Sequence, residues 1–162
     1  MKNSSLFVLT LIAFLIACST EREKKRRSPN EIEYDTSTTA IIEWDSKLNY
    51  PFNTIDYERA TLTQNDIVKI DTALVTAVAT WNRDLSKEFQ IDLSGRNYKR
   101  QLVAVKNDKG QKEVWVNYFC SHANVPWKKQ LLNVEDGGSC FFEFKLNFST
   151  GVVYDFRANG HA

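Results

Sequence analysis

The chain has 162 residues, 43% of them hydrophobic and 25% charged, with a formal net charge of +1. That length allows one modest domain and excludes a second independent core. The near-neutral balance gives no footprint for a nucleic-acid partner.

Met1 and Lys2 are followed by a short polar stretch and then an apolar run from Leu6 to Ala17. One positive charge ahead of a short hydrophobic core is the layout of an export signal. The run falls short of the roughly 20 apolar residues that a membrane span needs. Its end, Leu15-Ile16-Ala17-Cys18, resembles the lipobox of bacterial lipoproteins residue for residue. The resemblance implies diacylglyceryl transfer to the Cys18 thiol, cleavage of residues 1–17, and acylation of the new amino terminus by a palmitate-type chain. Two or three acyl chains hold a protein stably on a membrane, whereas one binds marginally. The expected address is therefore the cell envelope, and Ser19 after the cysteine is compatible with the outer rather than the inner membrane. An ordinary secretory signal that happens to carry a cysteine is the alternative.

Removing residues 1–17 takes away Lys2 and no acid, which leaves 20 basic and 20 acidic residues. Residues 18–40 carry the charge cluster Glu21 to Arg27, then Ser28, Pro29 and a Thr/Ser run, with no hydrophobic periodicity. They read as a lipid-anchored tether of about 25 Å root-mean-square reach. Lys24 to Arg27 either face anionic headgroups or form a solvated charge run. Residues 41–162 then form the single domain.

Ile41 to Tyr57 mixes Ile41, Ile42, Trp44, Leu48, Phe52 and Ile55 with polar residues and Pro51, which suggests a first strand and a packed loop. A helix begins at Thr63, where Thr63 and Asp66 form a capping box flanked by Leu62 and Ile67 at staple positions. Ile67, Ile70, Leu74, Val78, Trp81 and Leu85 then recur at helical spacing, giving one buried face.

After Gly95 the pattern changes to period-two alternation with turn signals, which predicts an antiparallel meander. A three-residue loop at Asp108-Lys109-Gly110 sets Leu102 opposite Val116, Ala104 opposite Val114 and Tyr98 opposite Cys120. Cys120 and Cys140 then point to the core face. On the other face Val103 meets Trp115, Lys99 meets Phe119, and Val105 lies beside Glu113. A similar loop at Ser149-Thr150-Gly151 sets Phe148 opposite Val152, Leu146 opposite Tyr154 and Phe144 opposite Phe156, with Lys145 meeting Asp155 and Glu143 meeting Arg157. A short strand is expected near Lys129 to Val134, ahead of the turn Glu135-Asp136-Gly137-Gly138.

The predicted fold is α+β, with one long amphipathic helix packed on a curved antiparallel sheet of four or five strands. The arrangement resembles the cystatin-like fold, with the NTF2-like cone as alternative. Val134-Glu-Asp-Gly-Gly-Ser-Cys-Phe-Phe and Thr150-Gly-Val-Val-Tyr-Asp-Phe-Arg-Ala-Asn-Gly160 resemble the C-terminal part of small lipoproteins of Bacteroidota, a group that brings no activity with it. The loop of protease-inhibiting cystatins has no counterpart here.

Chemistry-bearing residues are few. The histidines are His122 and His161, and Cys120 is the sole tempting nucleophile near either. Alternation turns Cys120 inward while the loop carries His122 away, so no catalytic pair is expected. Cys120, His122 and Cys140 lack the spacing of a zinc site, and a Cys120–Cys140 disulfide is the more economical reading in a chain that matures outside the cytoplasm. No cofactor or metal is expected.

These readings favour a non-enzymatic, lipid-anchored module that binds another envelope protein or a ligand. Its candidate surface is Val103, Trp115 and Phe119 with the loop residues His122 and Trp127, exposed aromatic patches being common partner sites. Alternatively the Ile41 to Ile55 segment covers that face and Trp127 is a core anchor. Two other classes share the fold: an NTF2-like enzyme or small-molecule binder with a helix–sheet pocket, and a periplasmic inhibitor or immunity-type protein.

Overall fold

The computed structural model describes residues 32–48, 50–52, 57–121 and 124–160. Cys18, His122 and His161 lie outside the described residues, as do the export signal and most of the expected tether.

The described residues form six strands and one long helix: β1 Thr39–Ile41, β2 Glu58–Arg59, α1 Gln64–Asn82, β3 Lys99–Lys106, β4 Lys112–Phe119, β5 Phe141–Asn147 and β6 Val153–Ala158. The sheet is open and mixed, with strand order β1-β3-β4-β5-β6 and β2 also paired to β3. The class is α+β with one helix on the sheet. It departs from the all-antiparallel expectation because β1 runs parallel to β3, Thr39 pairing with Arg100 and Ile41 with Leu102. The folded part also starts earlier than residue 41. Ile32 packs against the main core, Thr39 and Ala40 are buried, and the Glu33 N–H donates to the Gln64 side chain. The Thr/Ser run is therefore a turn and a strand, with the Asp35 side chain accepting from Ser37 and Thr38.

Helix α1 starts where the capping box places it. Thr63 accepts from the Asp66 N–H at 3.3 Å, and Asp66 accepts from the Thr63 N–H at 2.7 Å. Leu62, Ile67, Ile70 and Val78 enter the core under the helix, with Leu74 and Trp81 half-buried beside them. Asp66 lies off the apolar stripe yet is buried, because Lys112 of β4 donates to its carboxylate at 2.7 Å. Burial works against its charge, but that ammonium and the Thr63 N–H and hydroxyl outweigh it and hold the carboxyl below the usual range. Arg100 ties the other flank of the helix to the sheet, donating to Asp71 and to the Tyr118 hydroxyl.

The first hairpin has the register its turn predicts, from Lys99 opposite Phe119 to Lys106 opposite Lys112. Gly110 takes the left-handed position at φ 72°, where a Cβ would be strained. The last hairpin differs by one residue at its tip. Asn147 accepts from the N–H groups of Ser149 and Thr150 and closes a four-residue loop, so Leu146 faces Val153 and Lys145 faces Tyr154. A bulge at Asp155, φ 51°, restores the pairing of Glu143 with Arg157. The extra residue moves Tyr154 off the helix side, while Phe156 stays there against Trp81, Phe142 and Phe144.

No strand forms between Lys129 and Val134. Side-chain amides take the place of a ladder: Gln101 donates to the carbonyls of Trp127 and Gln130 and accepts from the Leu132 N–H, and Asn117 donates to the Leu132 carbonyl. Buried backbone groups of an irregular loop need such partners.

Candidate functional site

The sheet has two faces, and both are covered. Even-numbered residues of β3 to β5 meet α1. The odd-numbered face, predicted as a binding surface, is closed by a second layer. Val103 and Trp115 are each 1% exposed and Phe119 is 0% exposed. Trp44, Phe52, Tyr50, Tyr57 and Leu131 pack over Val103, Val105 and Trp115. Trp127 and Leu132 pack over Phe119, and Trp127 is itself buried. These aromatics are core anchors, so Val103, Trp115, Phe119 and Trp127 present no surface to a partner. Tyr50 meets Trp115 edge-on at 5.3 Å between ring centroids, and Phe52 meets Trp44 at 5.8 Å. Burying each such side chain stabilises the covering segment by roughly 1.5–3 kcal/mol.

Two carboxylates stitch this layer down. The buried Glu113 accepts from the side-chain amides of Asn107 and Asn147 at 2.8 and 3.0 Å and from the Tyr154 hydroxyl at 2.6 Å, and Tyr57 also bonds to it. Glu143 accepts from the Tyr50 hydroxyl at 2.7 Å and from Arg157. Burial, and then the adjacent carboxylate, push the ionisation of Tyr50, Tyr57 and Tyr154 upward. These bonds tie the covering segments and β6 to the sheet, which marks them as structural.

Cys120 and Cys140 are joined by a disulfide. Cys140 is buried but Cys120, just past the end of β4, is exposed, which corrects the reading that both face the core. The bonded sulfurs are unavailable as a nucleophile or as thiolate zinc ligands. Among the described residues no group of three or more His, Cys, Asp or Glu could hold a metal ion.

The open concavity on the helix side lies between α1 and the edge strand β6. It encloses about 820 Å³ and is lined by Val68, Lys69, Thr72, Ala73, Thr76, Ala77, Thr80 and Trp81 of the helix. Its opposite wall is Leu146, Phe148, Gly151, Val153 and Phe156. The groove exists because the flank of α1 turned to β6 carries alanines and threonines, too small to fill the space that Leu or Phe would occupy. The Thr72 hydroxyl is spent on the Val68 carbonyl at 2.9 Å. Val68 in its lining is 55% exposed. Among the described residues, no histidine, cysteine or carboxylate lines the groove, and its walls offer mainly apolar contacts.

A second concavity of about 1060 Å³ lies at the opposite edge, against residues 32–36, 41–43 and 59–62. It is more polar, with the exposed Arg59–Glu43 ion pair in its wall.

Sequence reasoning missed the groove because the threonines and alanines of α1 read as its solvent face. One signal was present: from Thr72 to Asn82 the helix carries no charged residue on any face, unusual for a helix with a solvated side. Among the described residues, no helix is long and apolar enough to cross a membrane. Comparison with known protein families, curated proteins and solved structures finds no match.

Proposed function

We propose that this protein is a lipid-anchored binding module of the bacterial cell envelope, non-enzymatic, whose ligand site is the groove between α1 and β6. The observation that carries the site is the exposed apolar lining of that groove, beside a sheet whose other face is closed. Concave, mostly apolar sites with few polar groups are where small molecules bind. The anchor is carried by the lipobox ending at Cys18, and the disulfide accords with maturation outside the reducing cytoplasm. Membership of the small Bacteroidota lipoproteins, and a cystatin-like architecture for the helix-on-sheet core, belong to the same reading. The mixed sheet, with its parallel β1, would make the chain a divergent example. The groove is also what supports the pocket-based alternative, an NTF2-like binder.

The test has two arms. Cys18→Ala is expected to shift the protein from membrane pellet to soluble fraction, and retention in the pellet would refute lipid anchoring. In a chain starting at Ser19, the apolar dye phenylnaphthylamine is expected to bind saturably. Thr76→Trp, at an exposed position that fills the groove, should weaken that binding about tenfold or more with an unchanged melting temperature, given the contacts one indole displaces. Undiminished dye binding by a folded Thr76→Trp chain would remove the groove from the account.

A further inference from the structure

We infer that the α1–β6 groove takes a long-chain anionic amphiphile of the fatty-acid class, its hydrocarbon lying along the helix and its carboxylate at Lys69. The inference rests on the groove being the ligand site and adds the chemistry of the occupant.

Shape is the first argument. The lining runs along α1 from Val68 to Trp81, which at 1.5 Å per residue is about 20 Å. An acyl chain filling one leaflet of a bilayer's 30 Å hydrocarbon core spans about 15 Å. One extended chain therefore matches the length and leaves room for a headgroup at one end.

Charge is the second. Among the described residues of the lining Lys69 is the only charged one, and it stands at one end of the row. The acids nearest to it in sequence are engaged elsewhere: Asp66 bonds Lys112 and Thr63, and Asp71 bonds Arg100. Lys112 lies 5.8 Å from the centroid of the Phe148 ring, so its ammonium is also at this side, neutralised by Asp66. An apolar trough with one uncompensated cation at its end selects a monoanion over a cation or a neutral chain.

The test uses the full chain in envelope membranes, irradiated with a diazirine-bearing palmitic acid or its methyl ester, with adducts mapped after trypsin. Adducts are expected on the peptides Ile70 to Arg83 and Leu146 to Arg157, which hold most of the lining. Lys69→Glu should cut labelling by the acid about fivefold or more, the contact attraction of two unit charges in water being worth roughly that factor. Lys69→Arg should keep it, and the ester should ignore both substitutions. Equal labelling by acid and ester, indifferent to Lys69→Glu, would overturn the fatty-acid inference while leaving the groove as a binding site. Adducts scattered over the surface, or none, would overturn it outright, and the dye measurement then decides separately whether the groove binds anything.

Discussion

Glu113 is a buried carboxylate whose donors are amides and phenols: Asn107, Asn147, Tyr154 and Tyr57. Charge-assisted bonds of this kind are stronger than neutral ones, and losing their acceptor strands every donor. The consequence appears at high pH. Tyr50, Tyr57 and Tyr154 ionise less readily in the folded protein than in the unfolded chain, first through burial and then through the neighbouring carboxylates. Above about pH 10 the unfolded state therefore holds fewer protons than the native one, and stability falls as pH rises. Glu113→Gln removes the negative charge beside Tyr57 and Tyr154, so tyrosinate absorbance should rise at lower pH than in the wild type. An unshifted ultraviolet titration would mean that these phenols do not sense Glu113. Asp66 acts at the other end of the scale. Held low by Lys112 and Thr63, it stabilises the fold above the ordinary carboxyl range and loses that effect as pH falls through its own value.

At the level of elements, legibility followed local chemistry. Helix α1 was readable because Thr63 and Asp66 cap it within one turn and its apolar spacing is regular. The first hairpin was readable because Gly110 supplies the left-handed residue of a three-residue loop. The last hairpin misled by one position, since Asn147 draws its loop out to four residues and the correcting bulge falls on Asp155 rather than on a glycine. Long-range covering was not readable at all. The outer aromatics Trp115 and Phe119 carry no mark of what packs on them, and Gln101 and Asn117 bind a loop some 15–31 residues away. The disulfide joins the end of β4 to the start of β5 across 20 residues. The loop-entropy relation gives it about 3 kcal/mol of stabilisation. Urea unfolding of a Cys120→Ala/Cys140→Ala chain should show a loss of that size, with a slope equal to or steeper than the wild type's because the uncrosslinked unfolded chain exposes more surface; an unchanged unfolding free energy would mean that the crosslink contributes nothing.

For the whole molecule, the layers decide where a ligand can go. Helix, sheet and the covering segments leave the flat faces closed, and the helix-side opening is where α1 fails to fill the space above β6. Ile32 packs on the core and the Glu33 N–H donates to Gln64, one helical turn before Val68 at the end of that opening. The groove as ligand site is the central claim. Its most direct test is an amide NMR titration of the Ser19-start chain with palmitate, following shifts residue by residue. Saturable shifts are expected to concentrate at Thr72 to Trp81 and Val153 to Phe156, with Val103, Trp115 and Phe119 unmoved. Shifts centred on those three residues instead, with α1 silent, would contradict the claim.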